Sequence, residues 1–152
     1  MKYFKHNKPG KLSVYGMLLL CLFLPGLSLA ESLVVIVNPL SPVQQLSRSE
    51  VINIYMGRQK KLGQNDTALP LDLGGINPTK KAFYLQLLNK QLSEINSYWA
   101  RLMFSGQGSP PRQLDSVSDI KQTIRNNIGA IGYLPYSEVP DDLRIVFILK
   151  EN

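Results

Sequence analysis

Histidine and cysteine each occur once, as His6 and Cys21, and both stand among the first thirty of 152 residues. From residue 31 onward there is neither. That stretch forms no disulfide and offers no thiol nucleophile or imidazole base. It also lacks the ligands that ordinary zinc sites use. Low-complexity segments and internal repeats are absent too. The longest apolar run, Val14 to Leu24, falls short of the roughly 20 residues that a transmembrane helix needs. What is present fits a globular chain: 44% hydrophobic and 18% charged residues exclude wholesale disorder, and the length suits one domain.

The first thirty residues read as an export signal. Lys2, Lys5, Lys8 and Lys11 form a positive, acid-free start, the apolar run follows, and Pro25-Gly26 ends it. Ser28-Leu29-Ala30 then supplies small residues at −3 and −1 of a cleavage site before Glu31. The alternative is an uncleaved N-terminal anchor. Cys21 follows Leu20 rather than a small residue, which argues against lipoprotein processing.

Removing the leader changes the charge. The chain carries 17 basic and 11 acidic residues, a net +6. Four of the basic residues and none of the acids lie in the leader, so residues 31–152 carry only +2. A nucleic-acid surface needs a strongly basic domain with clustered charge, so a nucleic-acid partner is not expected.

Along residues 31–152, strand and helix signals alternate. Leu33 to Val37 is a continuous apolar, β-branched run that reads as a buried central strand. Ser47 and Glu50 have capping-box spacing and open a helix carrying Val51, Ile54 and Tyr55 on one face. Arg58 to Thr67 reads as a polar, solvated loop. Leu69 to Leu73 reads as a second strand, and Gly74-Gly75-Ile76 as a turn. Asn77 suits an N-cap and Pro78 the first helical position, giving a helix to about Leu88. Ser93 is expected to cap a helix carrying Ile95, Tyr98, Trp99, Leu102 and Met103. A glycine- and proline-rich loop follows, then a helix from Ser116 or Ser118 that ends at Gly129. Ala130 to Leu134 and Leu143 to Leu149 are the last strands. The order is strand, helix, strand, three helices, strand, strand. It implies an α/β domain with a mixed, mostly parallel sheet.

The most informative local feature is Gly74-Gly75-Ile76-Asn77-Pro78-Thr79-Lys80. A strand runs through a glycine turn into a helix start, where free N–H groups and the helix dipole favour an anion. Gly75, Asn77, Thr79 and Lys80 are therefore the candidate ligand-binding residues, with an ordinary capped helix as the alternative. No residue is a candidate for catalysis or metal binding, and no cofactor is expected. Ser118 and Lys121 fit a Ser-x-x-Lys spacing without the partner motifs of acyltransferases. Asp141-Asp142 reads as a solvated turn, Trp99 as core, and Tyr84, Tyr98 and Trp99 as a weaker stacking candidate. Asn65-Asp66-Thr67 matches a glycosylation acceptor.

Several blocks together resemble the phosphate-binding subunit of phosphate ABC transporters. They are Val35-Ile36-Val37-Asn38-Pro39, Leu46 to Val51 with Ile54-Tyr55-Met56-Gly57-Arg58, and Gly129-Ala130-Ile131-Gly132-Tyr133. Asn96 to Phe104, with the following glycines and prolines, is more similar to a short, single-lobe branch of that group. The resemblance implies a three-layer periplasmic-binding-protein-like type II lobe over residues 31–152, exported to the periplasm. It implies phosphate or another oxyanion as ligand, and a transporter permease or envelope protein as partner. The family's Gly-Ser-Gly-Thr phosphate turn falls on Ile76-Asn77-Pro78-Thr79, where only the threonine is kept. Pro78 removes one backbone donor, and each charge-assisted hydrogen bond contributes on the order of 1.5–3 kcal/mol. Ligand pockets bury about 70–90% of their ligand, which one open lobe cannot do. Three readings follow: oxyanion capture, with a homodimer supplying the second wall; an interaction module without a small ligand; and, least supported, an enzyme. An exposed apolar patch on the side of the absent lobe would favour the second. A polar concavity centred on Thr79 would favour the first.

Overall fold

The computed structural model describes residues 31–149 apart from Asn65; the export signal read in residues 1–30 and the acceptor at Asn65 lie outside the described residues. A five-stranded sheet carries the fold. β1 (Leu33–Val37) is buried at all five positions and pairs antiparallel on both sides, with β6 (Ala130–Pro135) and β7 (Arg144–Ile148). β4 (Leu69–Leu73) pairs parallel with β6 and with β5 (Arg112–Leu114). The order is β5-β4-β6-β1-β7. Four strands therefore run one way and β1 runs against them, which is the mixed, mostly parallel sheet the sequence implies.

Helices cover both faces, making three layers. Successive residues of β6 show the two sides. A Cβ on Gly132 would stand 2.6 Å from Ile120 Cγ2, on α4 (Val117–Asn126). Tyr133, next along, stacks on Phe83 of α2 (Pro78–Leu88) with ring centroids 3.9 Å apart. Tyr55, near the end of α1 (Arg48–Tyr55), meets Phe83 edge-on at 4.8 Å. Its hydroxyl donates to the carbonyls of Leu71 and Ile131 in adjacent strands. An aromatic core thus welds α1 and α2 to the middle of the sheet. On the other face, Asn38 Nδ2 donates to the carbonyls of Ile124 and Arg125, tying the end of α4 to the end of β1.

The helix starts follow local chemistry. Ser47 and Glu50 form the expected capping box, with Ser47 N donating to Glu50 Oε2 at 2.8 Å. Hydrogen bonding from Ser47 holds the Glu50 carboxyl below its ordinary range. Ser116, not Ser118, caps α4.

Three expectations need correction. The segment read as a polar loop contains a small hairpin, β2 (Lys61–Leu62) with β3 (Asp66–Thr67). Leu62 is its buried anchor, a single apolar residue with no periodicity to reveal it. The helix expected from Ser93 starts earlier: α3 spans Leu92–Phe104, and Glu94 Oε2 accepts from Gln91 N at 3.0 Å. The loop after Pro111 contains β5. That strand is three residues long and mostly polar, and it exists because β4 offers a free edge.

Candidate ligand-binding site

The carboxyl ends of β4, β5, β6 and β7 lie along one edge of the sheet. In open α/β sheets this edge, near a reversal of strand order, is where ligands sit. Here the reversal is at β4, whose chain goes out to β5 on one side and returns to β6 on the other.

β4 ends in the turn that contains the sequence-selected residues. Gly74 N donates to Leu114 O at 2.9 Å, closing β4 against β5. Gly75 has φ +64 with open space where a Cβ would be, so backbone conformation rather than crowding calls for glycine. Ile76 then projects into solvent, 98% exposed. Asn77 takes extended geometry and caps α2. Its Oδ1 accepts from Thr79 N at 2.9 Å and Lys80 N at 3.3 Å, and its carbonyl accepts from Lys81 N. Pro78 has no N–H to give. The helical amides that an anion would use are therefore held by the chain's own cap.

Lys80 does not face solvent. Its Nζ lies 2.9 Å from Asp72 Oδ2, with both side chains about 5% exposed or less. Asp72 also accepts from Tyr133 OH at 2.5 Å on Oδ1 and from Tyr84 OH at 3.1 Å on Oδ2. Burial, reinforced by the Asp72 charge, pushes both phenols well above their ordinary range, so they stay protonated donors. Burial and then the same carboxylate act likewise on Tyr55. Asp72, Lys80, Tyr84 and Tyr133 thus form a closed, internally satisfied cluster just beneath the candidate site.

Of the four selected residues, Gly75, Asn77 and Thr79 lie on the rim, and Lys80 is turned into the core. Among the described residues, the N–H groups of Gly75, Ile76 and Asn77, the Thr79 hydroxyl and Asn77 Nδ2 make no hydrogen bond. Asp115, one residue beyond Leu114, brings negative charge to the neighbouring strand end. Tyr136, just past β6, is 56% exposed on the same edge.

The other sequence candidates resolve into structure. Asp142 holds Arg125 through two hydrogen bonds, and Lys121 pairs with Glu138 rather than with Ser118. Tyr84 is fully buried beside Asp72, apart from Tyr98 and Trp99, so the three share no stacking surface. Among the described residues no cluster of His, Cys, Asp or Glu could hold a metal, and no helix is long and apolar enough to cross a membrane. Sequence reasoning missed Asp72. Its one signal was a lone acid inside the apolar strand Leu69–Leu73, eight residues before a lysine.

The same fold occurs in solved structures of other proteins. Solved structures that share it are an ABC-type phosphate transport receptor from Vibrio cholerae and a putative phosphate ABC transporter substrate-binding protein, with bound phosphate, from Clostridium perfringens. The first has a TM-score of 0.60 at 19% identity, covering 76% of this chain and 45% of its own. The second has a TM-score of 0.62 at 22% identity, covering 76% and 44%. PstS from Borrelia burgdorferi matches with a TM-score of 0.60 at 13% identity, over 77% and 47%. The chain thus spans less than half the length of these phosphate ABC transporter substrate-binding proteins and has the fold of that part. No family model matches the sequence, and no curated protein matches it.

Proposed function

We propose that this chain is an exported, non-enzymatic, solute-binding-like lobe of the phosphate-transporter kind, working as a periplasmic protein–protein interaction module. The hydrogen bonding at the start of α2 carries this reading. Asn77 already holds the Thr79 and Lys80 amides, and Asp72 already holds the Lys80 ammonium. A phosphate would have to displace an N-cap, at a cost of about 1 kcal/mol, and would not gain the Lys80 ammonium. The exposed Ile76 and Tyr136 give the same edge apolar contact area. A partner in the envelope, such as a transporter permease, fits that edge. Residues 1–30 supply the export signal.

A second reading has one observation in its favour. The unpartnered N–H groups of Gly75, Ile76 and Asn77, with the Thr79 hydroxyl, are anion-compatible donors, and a second copy of the chain could supply the missing wall. Calorimetric titration of the purified protein with phosphate, with sulfate and a Thr79→Ala variant as controls, separates the two. The interaction-module reading expects no saturable heat at millimolar phosphate. A Kd below about 100 μM, roughly −5.5 kcal/mol, that weakens in the variant would establish oxyanion capture instead.

A further inference from the structure

A groove of about 540 Å³ lies at the amino ends of β4 and β5, the opposite end of these strands from the start of α2. Tyr98, Trp99 and Leu102 of α3 supply its apolar wall, and Arg58, Lys60 and Arg112 its charges. Every formal charge in the lining is positive. All three cations are exposed, and among the described residues none is in an ion pair. Residues 31–152 carry a net charge of only +2, so three unpaired cations around one groove are a local concentration rather than a general property of the surface.

The aromatic wall has unfinished chemistry. Trp99 is 5% exposed, and its indole N–H has no acceptor. Buried donors are nearly always paired, and this one, in a residue of the groove wall, is left without a partner among the described residues. The chain also keeps bulk away from the ring. A Cβ on Gly57 would stand 2.8 Å from Trp99 Cη2, and Gly57 has φ +71, which disfavours any side chain there. Met103 and Phe104, which follow Leu102 at the end of α3, are 53% and 98% exposed.

We propose that this groove takes an extended, acidic peptide segment of a partner protein. Its carboxylates meet Arg58, Lys60 and Arg112, and an apolar side chain packs against Tyr98 and Trp99. Inorganic phosphate would satisfy the cations but leave the aromatic wall open. A neutral or basic peptide would leave the cations unused. The proposal rests on the interaction-module reading only for the existence of a partner. Because the two regions lie at opposite strand ends, phosphate binding at α2 neither supports nor sinks it.

Trp99 is the only tryptophan, so indole emission from the purified protein reports on this groove. The probes are three capped octapeptides of equal leucine and phenylalanine content, bearing aspartates, serines or lysines at the remaining positions, together with inorganic phosphate and an oligothymidylate. The proposal expects a saturable emission change with the aspartate peptide, at least about tenfold tighter than with the serine peptide. Raised salt weakens it, since exposed charges are screened. Arg58→Ala with Arg112→Ala should abolish the response while leaving the circular dichroism spectrum intact. Lys121→Ala, which removes a cation from α4, should leave it unchanged. Equal affinity for the serine or lysine peptide, or no response to the aspartate peptide, would overturn the proposal. An equivalent response to phosphate or to oligothymidylate would also overturn it, converting the groove to a small-anion or nucleic-acid site.

Discussion

Replacing Asp72 with asparagine should cost this protein much of its stability. The carboxylate lies 2.9 Å from the Lys80 ammonium, and both side chains are almost wholly buried. It also accepts from Tyr84 and Tyr133. Asparagine keeps one acceptor oxygen, which Tyr133 can use. It turns an NH2 toward the ammonium or toward Tyr84, where another donor already points. The Lys80 charge is then buried without a partner. Breaking a buried pair from one side costs about 3–5 kcal/mol. At this chain length that corresponds to a fall of roughly 10–20 °C in Tm. Urea and thermal unfolding followed by far-ultraviolet circular dichroism measure it directly. The double variant Asp72→Asn with Lys80→Met removes the stranded charge, and should recover a substantial part of the loss. If Asp72→Asn unfolds within about 1 kcal/mol of the parent, or if the double variant is worse than the sum of the two single ones, the cluster is not the internally satisfied pair described above.

Other outcomes follow from the same geometry. Tyr55, Tyr84 and Tyr133 have phenols raised above the ordinary value of 10.0, burial being the first cause, so the folded protein holds them neutral. Their contribution is complete below about pH 10. It is lost as pH rises above that, because only the unfolded chain releases the protons, at about 1.4 kcal/mol per pH unit for each tyrosine. Urea midpoints from pH 8 to 11.5 should fall steeply only above pH 10, and phenolate absorbance from these three should appear only with unfolding; phenolate from Tyr55, Tyr84 or Tyr133, over and above that of the other tyrosines, before unfolding would contradict their burial. Gly129→Ala places a Cβ 2.3 Å from the Thr67 carbonyl oxygen, a backbone atom that cannot swing aside. It should cost roughly 1–3 kcal/mol by urea denaturation, and an unchanged midpoint would refute the close approach. Gly57→Ala combines an unfavourable φ with a contact on the Trp99 ring, so it should both destabilise the fold and shift tryptophan emission. Identical spectra would show that the ring is not held against Gly57.

How much of this was legible in the sequence depended on what kind of signal each element left. β1 was readable because five consecutive buried residues leave an uninterrupted apolar run. α1 and α2 were readable because their caps use side chains with strong positional preferences, Ser47 with Glu50 and Asn77 with Pro78. The hairpin at residues 61–67 and β5 were not. β5 is a strand because of a partner far along the chain, the hairpin's strands pair only with each other, and two or three mostly polar residues have no period to detect. At the candidate site, the turn and the helix start were legible, but the direction of Lys80 was not. A lysine after an N-cap reads as surface charge. Only the fold brings Asp72 of β4 and Tyr133 of β6 close enough to draw it inward. The same folding step turns a candidate anion ligand into part of the core.

The most direct test of the account is the amide spectrum of isotope-labelled protein during a phosphate titration. The central claim is that the start of α2 is closed by the chain's own side chains. The Thr79 and Lys80 amides, already bonded to Asn77 Oδ1, should keep their chemical shifts as phosphate rises to about 20 mM, where a 100 μM site would be nearly saturated. Saturating, mutually consistent shifts of Thr79, Lys80 and Gly75 at micromolar phosphate would contradict it, and would make this lobe a phosphate receptor in its own right.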